Sequence, residues 1–254
     1  MLPNIPNQFR QKIKAKDQVI GLWLSTSNPI IAEMVGMTGY DWLVLDGEHS
    51  PVDIPMQLQQ LQALNASSSA AVGRPPVNDA TMIKQYLDIG FYNLLIPFIE
   101  SKEEAEQAVA ATRYAPAGIR GVAGMVRACG YAATPEFYEQ VNDNITVLLQ
   151  IESRKGVEAV DEIASVDGVD GIFIGPADLS AALGHLGNPT HPDVEKTIQY
   201  IHERATAAGK ATGILAVNPD NAQRYLDMGF HFVAVGVDII TLRQGLISLR
   251  QRFS

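Results

Sequence analysis

The sequence predicts an α/β protein in which eight parallel strands close into a (β/α)8 TIM barrel. Short apolar segments alternate with amphipathic segments along the chain, and polar residues recur where the apolar segments end. Parallel strands need crossovers that are usually helices, and eight such units fit a barrel of about 250 residues. A doubly wound open sheet is the alternative, but no Gly-x-Gly-x-x-Gly follows the first strand. We therefore predict one barrel domain over residues 1–254.

The predicted strands are short apolar runs, and most precede a helical pattern such as "SKEEAEQAVAATRY". That helix opens with a capping box from Ser101 to Glu104. The connection 113–144 between the fourth and fifth strands is too long for an ordinary loop, so we expect extra helices or a functional loop there. In chain order, the predicted strands are 19–25, 42–49, 70–76, 93–100, 145–153, 171–180, 211–217 and 232–238.

Composition excludes several classes of protein. The chain has 19 basic and 28 acidic residues and no Lys/Arg-rich tract, so a nucleic-acid partner is not expected. Cys129 is the only cysteine, which excludes an intrachain disulfide and a cysteine-based metal cage. No apolar run is long enough to span a membrane, and the N-terminal segment lacks the apolar core of a signal peptide. We expect a cytoplasmic protein without a membrane partner.

Polar residues at the predicted strand ends indicate an active site, because the catalytic groups of a barrel lie where its strands end. Gln150 and Glu152 point the same way, since strand side chains alternate between faces. A carboxylate that faces a packed interior is costly unless it is paired or binds a cation. Asp178 follows the next strand, about 4.8 Å away, so Glu152 and Asp178 can share a cation. The full set is Asp46, Glu48, His49, Arg74, Gln150, Glu152, Asp178 and Asp238.

The donor atoms of this carboxylate pair indicate the kind of metal. Two carboxylates without His or Cys neighbours suit a hard cation such as Mg²⁺ or Mn²⁺ better than structural zinc. The alternative for either carboxylate is a helix cap or an ion pair at a strand end. The turn "IGPADLS" supports the metal hypothesis, because amide hydrogens around Ala177 and Asp178 can bind a substrate carboxylate beside the metal.

Two further residues are candidates for catalysis. His49 closes "LDGEHS" at a strand end, where a neutral imidazole can act as a general base. Read alone, a structural histidine is the alternative, and the other four histidines are interpreted as structural. Arg74 ends another strand, where a guanidinium suits an anionic substrate or a developing enolate. Its alternative is a surface salt bridge.

Several motifs together resemble one family. The segments "LDGEHS", "GRPP", "RYAPAGIRGV", "LLQIES", "VDGIFIGPADLSAALGHLGNP" and "FVAVGVD" are similar to those of the HpcH/HpaI family of class II, metal-dependent pyruvate aldolases. The resemblance runs from about Phe9 to the C-terminus. It implies a barrel of the phosphoenolpyruvate mutase/pyruvate kinase type whose C-terminal helix is exchanged between subunits. The implied assembly is a homo-oligomer, a trimer or a hexamer.

The resemblance also implies the chemistry. Members of this family use Mg²⁺ (or Mn²⁺ or Co²⁺) and reversibly cleave a 4-hydroxy-2-oxo acid into pyruvate and an aldehyde. By motif, Glu152 and Asp178 match the metal ligands, while Gln150, Ala177 and Asp178 match substrate-binding positions. No lysine lies in the interior of a predicted strand, which agrees with a mechanism that needs no Schiff base.

Three positions match catalytic roles in the family. His49 matches the base, Arg74 matches the residue that stabilises the transition state, and Asp88 in "YLDIGF" matches an aspartate that raises the basicity of the histidine. The predicted barrel conflicts with the last assignment, because Asp88 should end a helix at the face opposite the active site. A neighbouring subunit or an atypical helix end would reconcile the two.

Two segments bear on which substrate the protein uses. Residues 90–114 are most similar to the family members that act on 2-dehydro-3-deoxyglucarate, which yields pyruvate and tartronate semialdehyde. Members that act on 4-hydroxy-2-oxoheptanedioate are the alternative, as is a citrate-lyase-like carbon–carbon lyase. A non-catalytic binding barrel is a further alternative. The segment "AGMVRACGY" departs from the glucarate-type pattern, so the identity of the aldehyde stays open.

Overall fold

The computed structural model describes residues 5–253, and its eight strands form a closed parallel barrel in chain order. The predicted barrel is therefore confirmed. Every strand begins within one residue of its predicted start, whereas the predicted ends run too far because they include polar loop residues. The strands are β1 (Val19–Leu24), β2 (Trp42–Asp46), β3 (Ala70–Arg74), β4 (Asn93–Ile96), β5 (Thr146–Ile151), β6 (Gly171–Ile174), β7 (Ala211–Leu215) and β8 (Phe232–Val237).

Helices connect the strands and surround the barrel. They are α1 (Gln8–Lys14), α2 (Pro29–Gly36), α3 (Ile54–Ala63), α4 (Ala80–Asp88), α5 (Lys102–Thr112), α6 (Phe137–Gln140), α7 (Arg154–Glu158), α8 (Val160–Ser165), α9 (Pro176–Ala182), α10 (Pro192–Ala207), α11 (Pro219–Asp227) and α12 (Asp238–Gln251). The Ser101 side chain caps α5 by accepting a hydrogen bond from the Glu104 amide, as predicted. Connection 113–144 carries α6 and two 3₁₀ turns, as expected for its length. Within residues 5–253, no helix combines the length and apolarity that a membrane span requires.

Side chains alternate between two apolar layers. Those that point inward fill the barrel, and those that point outward pack against the helices. Helix α1 closes the N-terminal end, where the ring of Phe9 lies 6.0 Å from that of Trp42 and 6.5 Å from that of Phe232, measured between centroids. The interior is therefore a packed core that leaves only its C-terminal end for chemistry.

The barrel interior becomes polar at the C-terminal ends of its strands. Asp46 and Arg74 are register partners at the ends of β2 and β3, and Gln150 lies near the end of β5. All three are buried. They continue the inward-pointing rows that begin with Val44 and Val72 in the core. The alternation that packs the barrel thus also directs these polar side chains toward its mouth.

Helix α12 differs from the other long helices because its apolar side chains are largely exposed. Within residues 238–251, Asp238 is the only buried residue. Its carboxylate accepts hydrogen bonds from the amides of Ser25 and Thr26 and so fixes the loop after β1. The exposed apolar residues of this segment are Ile239, Ile240, Leu242, Leu246, Ile247, Leu249 and Phe253. An apolar surface of this kind is typical of a protein interface.

The substitution Gly213→Ala should destabilise the barrel. A Cβ atom at this position would lie 2.1 Å from Cε2 of Phe232, inside the packed interior. Overpacking of this kind costs about 1–3 kcal/mol, which we expect as a lower free energy of unfolding in urea at fixed protein concentration. Gly124→Ala is the control, because a Cβ there has only Tyr138 Oη nearby, at 3.7 Å. Equal stability of the two variants would contradict the described packing of β7 against β8.

Candidate active site

A buried ion pair joins the ends of β2 and β3. Asp46 Oδ1 accepts hydrogen bonds from Arg74 Nε at 2.9 Å and lies 2.8 Å from Arg74 Nη2. The Trp23 indole donates to Asp46 Oδ2 at 3.3 Å, and its ring lies 4.7 Å from the guanidinium carbon. Burial opposes ionisation of Asp46, but the hydrogen bonds and charge of Arg74 outweigh it and lower the pKa of the carboxyl. Arg74 is therefore held as a fixed cation at the barrel mouth.

The loop after β2 is tied to the same ion pair. Asp46 Oδ1 also accepts hydrogen bonds from the amides of Glu48 at 2.9 Å and His49 at 3.3 Å. Arg74 Nη1 lies 2.6 Å from Glu48 Oε2. Burial raises the pKa of Glu48, although the charge of Arg74 opposes this. The imidazole of His49 is 64% exposed, with Nε2 4.0 Å from Glu48 Oε2, so it is open to a substrate from outside.

Glu152 is the buried carboxylate opposite this pair. It follows β5, is only 2% exposed, and accepts hydrogen bonds from the side-chain amide of Gln150 and from the backbone amide of Phe98 at 3.2 Å. Burial raises its pKa to about 7, and the charges of Glu48 and Asp178 add to the effect. Near neutral pH this group therefore carries a costly negative charge that a cation would stabilise.

The turn between β6 and α9 completes the site. A Cβ atom on Gly175 would lie 2.1 Å from Glu152 Oε2, so only glycine allows this carboxylate to approach the turn. Helix α9 begins one residue later, at Pro176. Asp178 is exposed in its first turn, as is Ala177. The structure thus places at one end of the barrel, where β2, β3, β5 and β6 end, the predicted residues His49, Arg74, Gln150, Glu152, Ala177 and Asp178.

These residues fit a hard divalent cation. Glu152 and Asp178 offer carboxylate oxygens, and Gln150 Oε1 is buried without a hydrogen-bond partner. A site with oxygen donors and no cysteine suits Mg²⁺, Mn²⁺ or a similar ion. The raised pKa of Glu152 also fits a cation site. It shows that the buried carboxylate lacks sufficient stabilisation of its negative charge, and a bound cation would supply it.

Asp88 is not part of this constellation within one chain, so an action on His49 inside the same subunit is not supported. It ends α4 at the N-terminal end of the barrel, as the sequence pattern indicates. There, Asp88 Oδ1 lies 2.8 Å from Nη2 of the buried Arg120, whose guanidinium lies over the Tyr114 ring at 4.5 Å. Helix α4 ends regularly, with Ile89 in the right-handed helical region.

The four remaining histidines lie outside the described site. Nδ1 of His202 and Nδ1 of His231 lie 2.8 and 3.2 Å from Thr212 Oγ1. Burial lowers the pKa of His231 to about 4, so this ring is neutral at pH 7. His191 caps α10, and its ring stacks on that of His185.

Sequence reasoning gives no role to several groups that shape the site. Asp46 and Glu48 belong to the set of polar strand ends, but their contacts with Arg74 follow only from the strand register. The inward position of Trp23 can be derived from strand alternation. The amide of Phe98 cannot, because it depends on a loop conformation with φ of +55° at a non-glycine residue.

The comparison with known proteins decides the family. A family profile described as HpcH/HpaI aldolase/citrate lyase matches residues 19–245. The chain belongs to this family. A 5-keto-4-deoxy-D-glucarate aldolase from Escherichia coli O157:H7 (strain EC4115 / EHEC) is 56% identical over 248 residues, covering 98% of this chain and 97% of that one. The resemblance found from motifs is confirmed, and so is the expectation of a carbon–carbon lyase.

Solved structures share the same barrel. A HpcH/HpaI aldolase/citrate lyase family protein from Burkholderia cenocepacia J2315 is 38% identical, with a TM-score of 0.94 over 98% of this chain and 100% of that one. A HpcH/HpaI aldolase from Desulfitobacterium hafniense DCB-2 is 26% identical, with a TM-score of 0.89 over 96% and 95% of the two chains. The arrangement of strands and helices is therefore that of the family.

The substitution Glu152→Gln should stabilise the metal-free protein at pH 8 but not at pH 5. Because folding raises the pKa of Glu152 from 4.5 to about 7, its ionised form destabilises the fold increasingly as pH rises through that range. The full effect at pH 8 corresponds to about 3 kcal/mol, and Gln keeps the shape while removing the charge.

Urea unfolding in EDTA at both pH values, at equal protein concentration, measures this difference. Glu158→Gln is the control, because Glu158 is exposed. A stability difference between the Glu152→Gln variant and the parent that is the same at pH 5 and pH 8 would contradict an uncompensated buried carboxylate.

Proposed function

We propose that this chain is a metal-dependent class II aldolase that reversibly cleaves 5-keto-4-deoxy-D-glucarate, also named 2-dehydro-3-deoxyglucarate, into pyruvate and tartronate semialdehyde. The observation that carries the proposal is a fixed Arg74 beside the carboxylates of Glu152 and Asp178 at one barrel mouth. The aldolase from Escherichia coli that is 56% identical supports this choice of substrate.

Glu152 and Asp178 would hold the metal, and Mg²⁺, Mn²⁺ or Co²⁺ suits their oxygen donors. When bound, a divalent cation supplies Lewis acidity that polarises the oxo group of the substrate. Gln150 orients Glu152 through its amide nitrogen. Its unpartnered Oε1 is available to a donor on the substrate, such as the hydroxyl of a 4-hydroxy-2-oxo acid.

Arg74 stabilises the negative charge that develops when the carbon–carbon bond breaks. The electrons of that bond move to the oxygen of the nascent pyruvate enolate, and a guanidinium beside this oxygen lowers the barrier. Asp46 and Trp23 hold the guanidinium in place before the reaction, so little reorganisation is needed. A planar, hydrogen-bonded arginine does this better than a flexible lysine.

His49 is the base in this reaction. It accepts the proton of the substrate hydroxyl as that carbon becomes the aldehyde carbonyl, and returns a proton when the reaction runs in the direction of synthesis. Its exposed imidazole is suited to this role because a substrate can reach it directly. The hydrogen bond from its amide to Asp46 fixes the backbone that carries it.

The chain acts as a homo-oligomer, a trimer or a hexamer, in which α12 packs on a neighbouring subunit. Its apolar side chains are exposed in the single chain. Ile30 and Met34 on the nearby helix α2 and Met37 directly after it are also exposed. A cavity of about 140 Å³ between α2 and α12 continues this apolar surface. An exchanged helix would bury these residues together.

Asp88 and connection 113–144 act on the site of a neighbouring subunit. Both lie at the N-terminal end of their own barrel, opposite the end that carries the proposed active site. The connection exposes Ile119, Val122 and Met125, which suits a contact with another chain. In this position, the connection would shape the aldehyde pocket and Asp88 would raise the basicity of His49.

Cleavage of 5-keto-4-deoxy-D-glucarate should require the metal and both carboxylates. We expect EDTA to abolish pyruvate formation, Mg²⁺, Mn²⁺ or Co²⁺ to restore it, and Glu152→Ala or Asp178→Ala to reduce kcat/KM by a hundredfold or more. Pyruvate release, coupled to lactate dehydrogenase, measures the rate, with 4-hydroxy-2-oxoheptanedioate as the competing substrate. A lysine–pyruvate adduct trapped by borohydride would instead establish Schiff-base chemistry.

Mixing two impaired variants should restore activity if sites are shared between subunits. In oligomers assembled from equal amounts of the Asp88→Ala and Glu152→Ala variants, about a quarter of the sites combine an intact Glu152 with an intact neighbouring Asp88. We expect recovery of activity in that proportion after joint refolding, relative to the parent protein treated the same way. Activity no higher than the sum of the separate variants would contradict the shared site.

A further inference from the structure

A second cavity, of about 770 Å³, opens at the N-terminal end of the barrel, opposite the proposed active site. It lies between α1, the C-terminal end of α5, and the loops that precede β6 and β7. Part of connection 113–144 also lines it, but none of His49, Arg74, Gln150, Glu152, Ala177 and Asp178 does. Although the chain has a net charge of −9, five cationic side chains line this cavity: Arg10, Lys14, Lys16, Arg113 and Lys210.

Three of these cations already have acidic partners. Arg10 Nη2 and Lys14 Nζ lie 3.0 and 3.7 Å from the same oxygen of the buried Asp170. Arg113 Nη1 lies 3.5 Å from Asp167 Oδ2. These three cations therefore have a structural role, because each ion pair connects two segments of the cavity wall.

The two remaining ammonium groups bond only to neutral oxygens. Lys16 Nζ donates to the carbonyl of Gly209 at 2.7 Å, and Lys210 Nζ donates to the carbonyls of Val166 and Val169 at 3.2 and 2.8 Å. Among residues 5–253, neither ammonium has a carboxylate within 4.0 Å. Each lysine thus brings a positive charge to the cavity without an ion-pair partner.

The two lysines also repel each other. Burial lowers the pKa of Lys16, and the charge of Lys210 adds to the effect. Burial likewise lowers the pKa of Lys210, with Asp170 and Asp167 opposing this from beyond ion-pair distance and Lys14 reinforcing it. An anion placed between the two ammonium groups would favour their charged forms and so raise the pKa of both lysines.

Lys16 occupies a backbone position that glycine would ordinarily take. Helix α1 ends in a Schellman-type turn, in which the amides of Lys16 and Asp17 bond to the carbonyls of Ile13 and Lys12. Lys16 has φ of +65°, in the left-handed region where glycine is the ordinary residue. A lysine in this position adds backbone strain, and such strain is often found at functional sites.

We propose that this cavity is a binding site for a small dianion, a phosphate or a dicarboxylate, held between the ammonium groups of Lys16 and Lys210. Two unpaired cations match two negative charges, and the half-open cavity has room for a small molecule. Glu139 and Asp143 also line the cavity and would repel an extended polyanion such as nucleic acid. Since neither Lys16 nor Lys210 has a role in the proposed aldolase site, the proposal does not depend on the reaction.

The substitution Lys16→Gly tests this site without harming the fold. Glycine suits the positive φ, so we expect equal or higher thermal stability in the absence of anion. Affinity for the dianion should fall at least tenfold, as it should in Lys210→Met. Calorimetric titrations of the metal-free protein with inorganic phosphate and with succinate, at constant ionic strength, decide between the two sources of charge. Lys102→Met is the control, because Lys102 lies on α5 away from the cavity.

Lysine-specific signals locate the bound anion. After reductive methylation with ¹³C-formaldehyde, the NMR signals of Lys16 and Lys210, assigned from the two variants, should shift with phosphate or succinate while the Lys102 signal stays in place. Binding that is unchanged in Lys16→Gly, or signals of Lys16 and Lys210 that do not move with either anion, would overturn the proposal. Anion binding confined to the aldolase site gives this second result.

Discussion

The contact between Asp46 and Arg74 is the interaction on which the rest of the site depends. One carboxylate oxygen faces two guanidinium nitrogens and also accepts the amides of Glu48 and His49, so it fixes both a cation and the loop beside it. Trp23 contacts both partners, because its indole N–H donates to Asp46 and its ring packs against the Arg74 guanidinium. Removing Arg74 would leave the buried charge of Asp46 without an ion-pair partner, which typically costs about 3–5 kcal/mol, whereas removing Asp46 would leave Arg74 with Glu48 alone. The geometry of the mouth therefore relies on a pair that the barrel register creates.

Two buried carboxylates in this site differ in their electrostatic environments. Arg74 and several hydrogen bonds lower the pKa of Asp46, so it is a stable anion and a structural element. Burial raises the pKa of Glu152 to about 7, because its hydrogen bonds do not replace the lost hydration. When environments separate the pKa values of neighbouring groups in this way, their roles separate too. The first carboxylate orients the arginine, and the second is suited to a cation.

Strand starts and the inward direction of polar strand ends could be predicted from sequence, because both follow from the two-residue alternation that a packed barrel imposes. Gln150 and Glu152 are the clearest case. The contact of the Phe98 amide with Glu152 could not be predicted, since it rests on a left-handed loop residue. Asp88 and α12 could be placed on their elements, but the ion pair of Asp88 with Arg120 could not be predicted, because it joins a helix end to a long irregular connection.

Exchange of the pyruvate methyl protons with solvent deuterium tests the central claim most directly, since it requires the enolate but no aldehyde. With Mg²⁺ present, we predict exchange by the parent protein and a loss of a hundredfold or more in Arg74→Lys and in Asp46→Asn, the usual size of a lost electrostatic contribution. Glu152→Ala should show none. NMR of the methyl signal in D₂O measures the rate. Exchange in Arg74→Lys and Asp46→Asn as fast as in the parent protein would contradict enolate stabilisation by an arginine that Asp46 holds in place.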